Sequence, residues 1–269
     1  MLLRKNCYNF SMYPLLRLLT SLAFILLYHP VPAISQALDD GLFAPSQTIS
    51  VEIAKKQLKK IYLQGNHPKT LHCGCFFDKI QQVYPKICDH GPKATEDKSL
   101  RKILKWVHVV PVAIFAKPLK CWDEALCRHD SKDGATGSRC CNVMSHKFKT
   151  READMHNLFP AIGNEDGVRT KSSDAFGGMG EYRFCKDKST SQSSPRTGAR
   201  GDIARAYFYM SRQYGLIIDE ALEDRLRTWH LEDPPDAWEE ERNSLIELEQ
   251  GNRNPFIDHP EWIERVKDF

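Results

Sequence analysis

The stretch "ILKWVHVVPVAIF", Ile103 to Phe115, sets a single histidine, His108, in an almost wholly apolar run. Imidazole is the side chain whose ordinary pKa suits proton transfer near neutral pH. A lone histidine in an apolar strand is more often a hydrogen-bonded core residue, so the stretch by itself leaves both readings open. Cysteine is the second reactive type. The chain has nine cysteines, and Cys7 lies in an amino-terminal apolar segment, which leaves Cys73, Cys75, Cys88, Cys121, Cys127, Cys140, Cys141 and Cys185. An even set in an exported chain points to disulfides. Zinc is the competing reading, but the C-x-C and C-C spacings lack the paired C-x-x-C of zinc ribbons. Eight cysteines allow about 105 pairings, and spacing alone does not select one.

Export itself is read from the first residues. Arg4, Lys5 and Arg17 lie around the apolar run Leu15 to Tyr28, and small residues follow at Ser35 and Ala37. This order of basic start, apolar middle and small-residue end is that of a secretory signal peptide. The expectation is a cleaved leader over residues 1–37 and a single domain over 38–269, free of the membrane after cleavage. An uncleaved anchor is the alternative; the apolar run is short for a membrane span, and Arg17 interrupts it.

The elements that must carry His108 follow from pattern. "SVEIAKKQLKKIYLQG" has a capping serine, Ser50, a terminal glycine, Gly65, and apolar residues at helical spacing, so it reads as an amphipathic helix with a lysine-rich outer face. "LHCGCFFD" reads as a strand, residues 86–99 as a loop and "WVHVVPV" as a strand that breaks at Pro111. Residues 117–147 read as irregular, and "READMHNLFPAIG" as a helical or turn-like segment ending at Pro160. "GDIARAYFYMSRQYG", "DEALEDRLRTWHLED" and "DAWEEERNSLIELEQG" read as three helices, with Arg205 and Arg212 on the first of them solvated or structural. Strand and loop material followed by helices predicts an α+β fold.

Charge is uneven along the chain. Residues 38–218 hold 29 Lys/Arg against 19 Asp/Glu, whereas residues 219–269 hold 6 against 16. A basic body fits a polyanionic partner such as nucleic acid, and the acidic end fits a mask or a second solvated face.

Five pieces taken in order carry more than any one alone: "WVHVVP", "GSRCC", "READMHNLFPAIGNEDGVR", "RGDIARAYFYM" and "QGNRNPF". Together they resemble the endonuclease I family of secreted or periplasmic bacterial nucleases, over about residues 50–258. The resemblance implies a ββα-metal (His-Me finger) core with surrounding helices and disulfides. It implies a non-specific endonuclease that hydrolyses DNA, and RNA as a further substrate, through phosphate contacts, outside the cytoplasm and as a monomer. His108 matches the family's general base and Arg139 its phosphate-contacting arginine. Asp166 stands at the metal-binding position before Gly167, with Glu165 beside it. Glu152, His156 and Asn157 match the motif that supports the site. One divalent cation is implied, Mg²⁺ first, with Ca²⁺ or Mn²⁺ as substitutes. The match departs at Val107, which occupies the position of the family's metal-binding glutamate. The alternative is therefore a catalytically weakened or silent nucleic-acid-binding protein on the same scaffold.

Overall fold

The computed structural model describes residues 49–89, 100–122, 137–164 and 195–269. All of them fall within one compact unit, residues 43–269. Helix α1, Val51–Gln64, begins where the sequence places it: the Ser50 side chain accepts from the Ile53 N–H at 3.3 Å. Ala54, Leu58, Ile61 and Tyr62 form its buried stripe. Lys55, Lys56, Lys59 and Lys60 lie on its exposed and half-exposed side.

Two small antiparallel sheets follow. Strands β1, Cys75–Phe77, and β2, Val83–Cys88, form one, and the disulfide Cys75–Cys88 joins paired residues across it. Residues 86–88 are thus strand rather than loop, and of "LHCGCFFD" only Cys75–Phe77 is strand. Strand β3, Leu100–His108, pairs with β4, Leu158–Asn164. Between them come helix α2, Val112–Ala116, a 3-10 turn at Lys120–Trp122, and helices α3, Gly137–Met144, and α4, His146–Ala153. The part of 117–147 read as irregular therefore contains α3, which the Cys121–Cys141 disulfide ties to the turn at Lys120–Trp122. Residues 123–136 lie outside the described set.

Pro160 does not end its segment, because β4 runs through it. Its carbonyl accepts from the Leu71 N–H at 2.9 Å, on the side away from β3. The N and C=O of one strand residue point the same way, so the proline nitrogen also faces away from β3. No ladder bond is lost there, an arrangement that a strand proline tolerates.

The three carboxy-terminal helices form as their patterns indicate: α5, Arg200–Tyr214, α6, Glu220–Glu232, and α7, Ala237–Gln250. Gly215 and Gly251 close α5 and α7 at φ of 64° and 86°, a left-handed backbone that favours glycine. Two short helices, α8, Pro255–Asp258, and α9, Trp262–Arg265, complete the order. Among the described residues, no helix is long and apolar enough to cross a membrane. The architecture is α+β, as the sequence predicts.

Among the described residues, apolar burial divides into two clusters. One gathers on α5 and includes Val109, Val110, Phe115, Phe148 and Phe208. The other gathers on α1 and includes Phe77, Leu104, Leu158, Ile162 and Ile246. Strand β3 leads from the second cluster into the first, and His108 lies at the crossing. Arg205 is structural and almost fully buried. It donates through Nε to Glu239 Oε1 at 2.7 Å, through Nη2 to Glu239 Oε2, and through Nη1 to the Asp233 carbonyl at 2.8 Å. Arg212 is exposed. Removing one partner of such a pair strands the other charge in a dry site. Glu239→Ala is expected to cost about 3–5 kcal/mol in chemical denaturation.

Candidate active site

His108 is the last residue of β3 and pairs with Leu158, the first of β4. The chain then turns through Val109 and Val110 to Pro111, which precedes α2. On the other side, α4 ends at Ala153, Asp154 caps a 3-10 turn at Met155–Asn157, and β4 begins. The His108 imidazole bridges the two segments: its Nε2 lies 2.7 Å from the Glu152 carbonyl oxygen. A carbonyl only accepts, so Nε2 carries the proton and donates. Nδ1 then keeps its lone pair. The Phe115 ring meets the imidazole edge-on, with centroids 5.4 Å apart. Burial pushes the His108 pKa down to about 4; the bond to Glu152 opposes this, Lys55 adds to it and Asp154 opposes it. The ring is therefore neutral at neutral pH, in the protonation state a base requires.

Asn157 locks the turn that follows His108. Its Oδ1 accepts from the Val110 N–H at 2.6 Å and its Nδ2 donates to the Val110 carbonyl at 3.1 Å. Its own carbonyl accepts from the Val109 N–H at 2.9 Å. The amide side chain thereby continues the β3–β4 pairing past the end of the strand.

Asp154 holds the opposite side. One of its oxygens accepts from the His156 N–H at 3.0 Å and from Gln250 Nε2 at 3.0 Å. The other accepts from the Tyr209 and Tyr214 hydroxyls at 2.7 and 2.6 Å. Arg242, buried from α7, donates to the Met155 and Leu158 carbonyls at 2.7 and 3.0 Å and lies over the Phe159 ring. His156 is buried in this support: its Nε2 donates to the Asn252 carbonyl at 3.2 Å, and its ring lies against Tyr209 at 4.7 Å. Sequence reasoning gave no role to Asp154, Tyr209, Tyr214, Arg242, Gln250 or Asn252. The signal was present, since Asp154 lies in "EADMHNL", Tyr209 in "RGDIARAYFYM", and Gln250 and Asn252 in "QGNRNPF".

The remaining expected site residues divide. Glu152 is half-buried, and its Oε2 accepts from Asn142 at 3.1 Å. Burial raises its pKa, Lys55 lowers it and Glu52 raises it. Val107 pairs with Phe159 and offers only hydrocarbon. Arg139 lies on α3, with its side chain outside the described set. Glu165 and Asp166 lie outside the described residues, as do Cys127 and Cys185. Cys73 and Cys140 are disulfide-bonded, as are the pairs named above. Among the described residues, no group of three or more His, Cys, Asp or Glu side chains could hold a metal ion. A hard divalent ion needs oxygen ligands, and position 107 supplies none; the acidic candidates Glu165 and Asp166 lie outside the described residues.

The family model for endonuclease I matches residues 52–261. The chain belongs to the endonuclease I family. It is accordingly a nuclease, and membership points to divalent-metal dependence in general. It is 37% identical over 239 residues to an extracellular deoxyribonuclease of Aeromonas hydrophila, covering 84% of this chain and 97% of the relative. A periplasmic deoxyribonuclease of the same organism is 37% identical over 213 residues, 76% of this chain and 83% of its own. An endonuclease-1 of Buchnera aphidicola subsp. Acyrthosiphon pisum is 32% identical over 205 residues, 73% of this chain and 76% of its own.

His72 and His156 are buried, and burial pushes both pKa values from 6.5 down to about 4. Between those values the unfolded chain holds more protons than the folded one, so stability rises with pH across that window. The contribution is complete above about pH 6.5 and is lost as pH falls toward 4. Each of these histidines adds a slope of up to about 1.4 kcal/mol per pH unit there. Thermal melting followed by circular dichroism should be nearly flat from pH 7 to 8 and should drop steeply between pH 6.5 and 4.

Proposed function

We propose that the chain cuts phosphodiester bonds in DNA, with His108 as the general base and RNA as a second substrate. It works in the periplasm or outside the cell, as its deoxyribonuclease relatives are named for doing. In this reading residues 1–37 are the leader, residues 38–269 the enzyme, and the working form a monomer. The observation that carries the mechanism is the 2.7 Å bond from His108 Nε2–H to the Glu152 carbonyl. It fixes the tautomer and leaves Nδ1 to take a proton from the attacking water. An arriving phosphate brings negative charge, which raises the pKa of the base from its low resting value toward the working range. As that charge stabilises the imidazolium, proton transfer becomes more favourable once substrate is in place.

Phosphate contact supplies the binding. Lys55, Lys56, Lys59 and Lys60 give α1 a positive face, and the electrostatic influence of Lys55 reaches both His108 and Glu152. Lys105, Lys147 and Lys149 add exposed charge on β3 and α4. Contacts to phosphate carry no sequence information, which supports non-specific cutting. Arg139 is the residue assigned to grip the phosphate through its planar fork. The Mg²⁺ reading rests on Asp166.

Plasmid degradation by the oxidised protein tests these assignments. His108→Ala is expected to lower turnover by about 10²–10⁴-fold. Retained turnover in that variant would remove His108 from the mechanism. Val107→Glu, compared with the wild type across a Mg²⁺ titration and in EDTA, is expected to lower the metal concentration needed for half-maximal cleavage. Salt-sensitive DNA binding without cleavage in the wild type, with cleavage gained in Val107→Glu, would favour the silent nucleic-acid-binding reading instead.

A further inference from the structure

The motif "QGNRNPF" lies far from His108 in sequence and touches no substrate in the reading above. Its side chains nevertheless end at the turn that orients the base. Gln250 Oε1 accepts from the Met155 N–H at 2.7 Å, and Gln250 Nε2 donates to Asp154 Oδ1 at 3.0 Å and to Asn252 Oδ1 at 2.8 Å. Asn252 Nδ2 donates to the Tyr209 hydroxyl at 2.7 Å, and that hydroxyl donates to Asp154. The Asn252 carbonyl accepts from His156 Nε2. Asp154, His156 and Gln250 are each 1% exposed, and Asn252 is 3% exposed.

We propose that Gln250 and Asn252 are positioning residues for the His108 base. One amide, that of Gln250, satisfies the Met155 N–H with its oxygen and the Asp154 carboxylate with its nitrogen, so it holds both ends of the same peptide segment. Glu152, whose carbonyl holds the imidazole, precedes that segment by two residues. Without the amide, a buried N–H and a buried carboxylate oxygen each lose a partner, and in a dry site the backbone moves to recover them. A hydrogen bond of 2.7 Å leaves little room for such a shift before His108 Nε2 loses its acceptor. The imidazole then rotates or exchanges tautomer, and Nδ1 no longer faces the water it should deprotonate. Asn252 acts one step back, by holding the Tyr209 hydroxyl on Asp154.

This proposal rests on His108 as the base, and the test separates the two. Full-length, oxidised Gln250→Ala protein is assayed for kcat and KM on plasmid DNA, and the His108 tautomer is read by ¹⁵N NMR. The expected result is a kcat lower by about 100-fold with KM nearly unchanged, and a shift from the Nε2–H tautomer to a mixture. Gln250→Glu should recover kcat to within about tenfold, because a buried carboxyl beside Asp154 stays protonated, and its single O–H donates to Asp154 while its carbonyl oxygen accepts from the Met155 N–H. A Gln250→Ala protein with wild-type kcat and tautomer overturns the proposal. So does a loss that only tracks the unfolded fraction, which marks a purely structural role. Should Gln250→Ala not fold, Asn252→Ser, which removes the donation to Tyr209, gives the same readouts, and an unchanged tautomer and kcat there overturn the proposal as well. Wild-type cleavage by His108→Ala would remove the base assignment alone, while the tautomer readout would still decide whether Gln250 orients the ring.

Discussion

One hydrogen bond, from His108 Nε2 to the Glu152 carbonyl, joins residues 44 apart in sequence and sets the chemistry of the ring between them. The carbonyl dictates which nitrogen bears the proton. The β3–β4 register, which pairs His108 with Leu158, brings the two segments close enough for the bond to form. Helix α4 must then stop at Ala153 so that the carbonyl of its last turn faces the strand rather than continuing a helical ladder. Asp154 supplies that stop, because its side chain turns back onto the His156 N–H.

The support around this bond is polar and buried, an arrangement that is costly if incomplete. Asp154 sits among two tyrosine hydroxyls, an amide and a backbone N–H, and each removes part of the cost of desolvating the carboxylate. An apolar core could have held the same helices together. It could not have fixed the direction of a carbonyl, since apolar contact is non-directional. Arg242 works similarly: its guanidinium reaches two carbonyls of the turn and strand while its face rests on Phe159. Elements far apart in sequence thus converge on a turn of three residues, and apolar clusters on either side exclude water from it.

Much of this was legible in the sequence, and the misses have physical causes. Capped, periodic helices such as α1 and α5 declare themselves through Ser50, Gly65 and Gly215, because caps and apolar stripes are local signals. The extent of β4 was not legible: Pro160 reads as a breaker, and only the partner at Leu71 shows that its nitrogen faces away from the ladder. Helix α3 was hidden by glycine and paired cysteines, and it is the disulfide to Cys121 that secures it. His108, Glu152, His156 and Asn157 could be picked out by resemblance, and the structure groups them around one turn. Asn157 holds backbone on both sides of its amide, something no composition or spacing reveals. The residues that brace Asp154 come from α5 and from the end of α7, so their meeting is a property of tertiary packing. Glu165 and Asp166 lie outside the described residues.

The sequence separation of the Asp154 braces has a consequence for biosynthesis. A chain is made from its amino terminus, so His108 and Glu152 exist long before Tyr209, Tyr214 and Gln250 are added. The donor from Gln250 lies 96 residues beyond Asp154. Until that part of the chain has been translated, the buried carboxylate lacks side-chain partners that offset its desolvation, and the turn cannot settle as it does in the finished fold. A prematurely ended chain therefore holds the imidazole without its full brace, and the site is completed only once the carboxy-terminal helices have joined the fold.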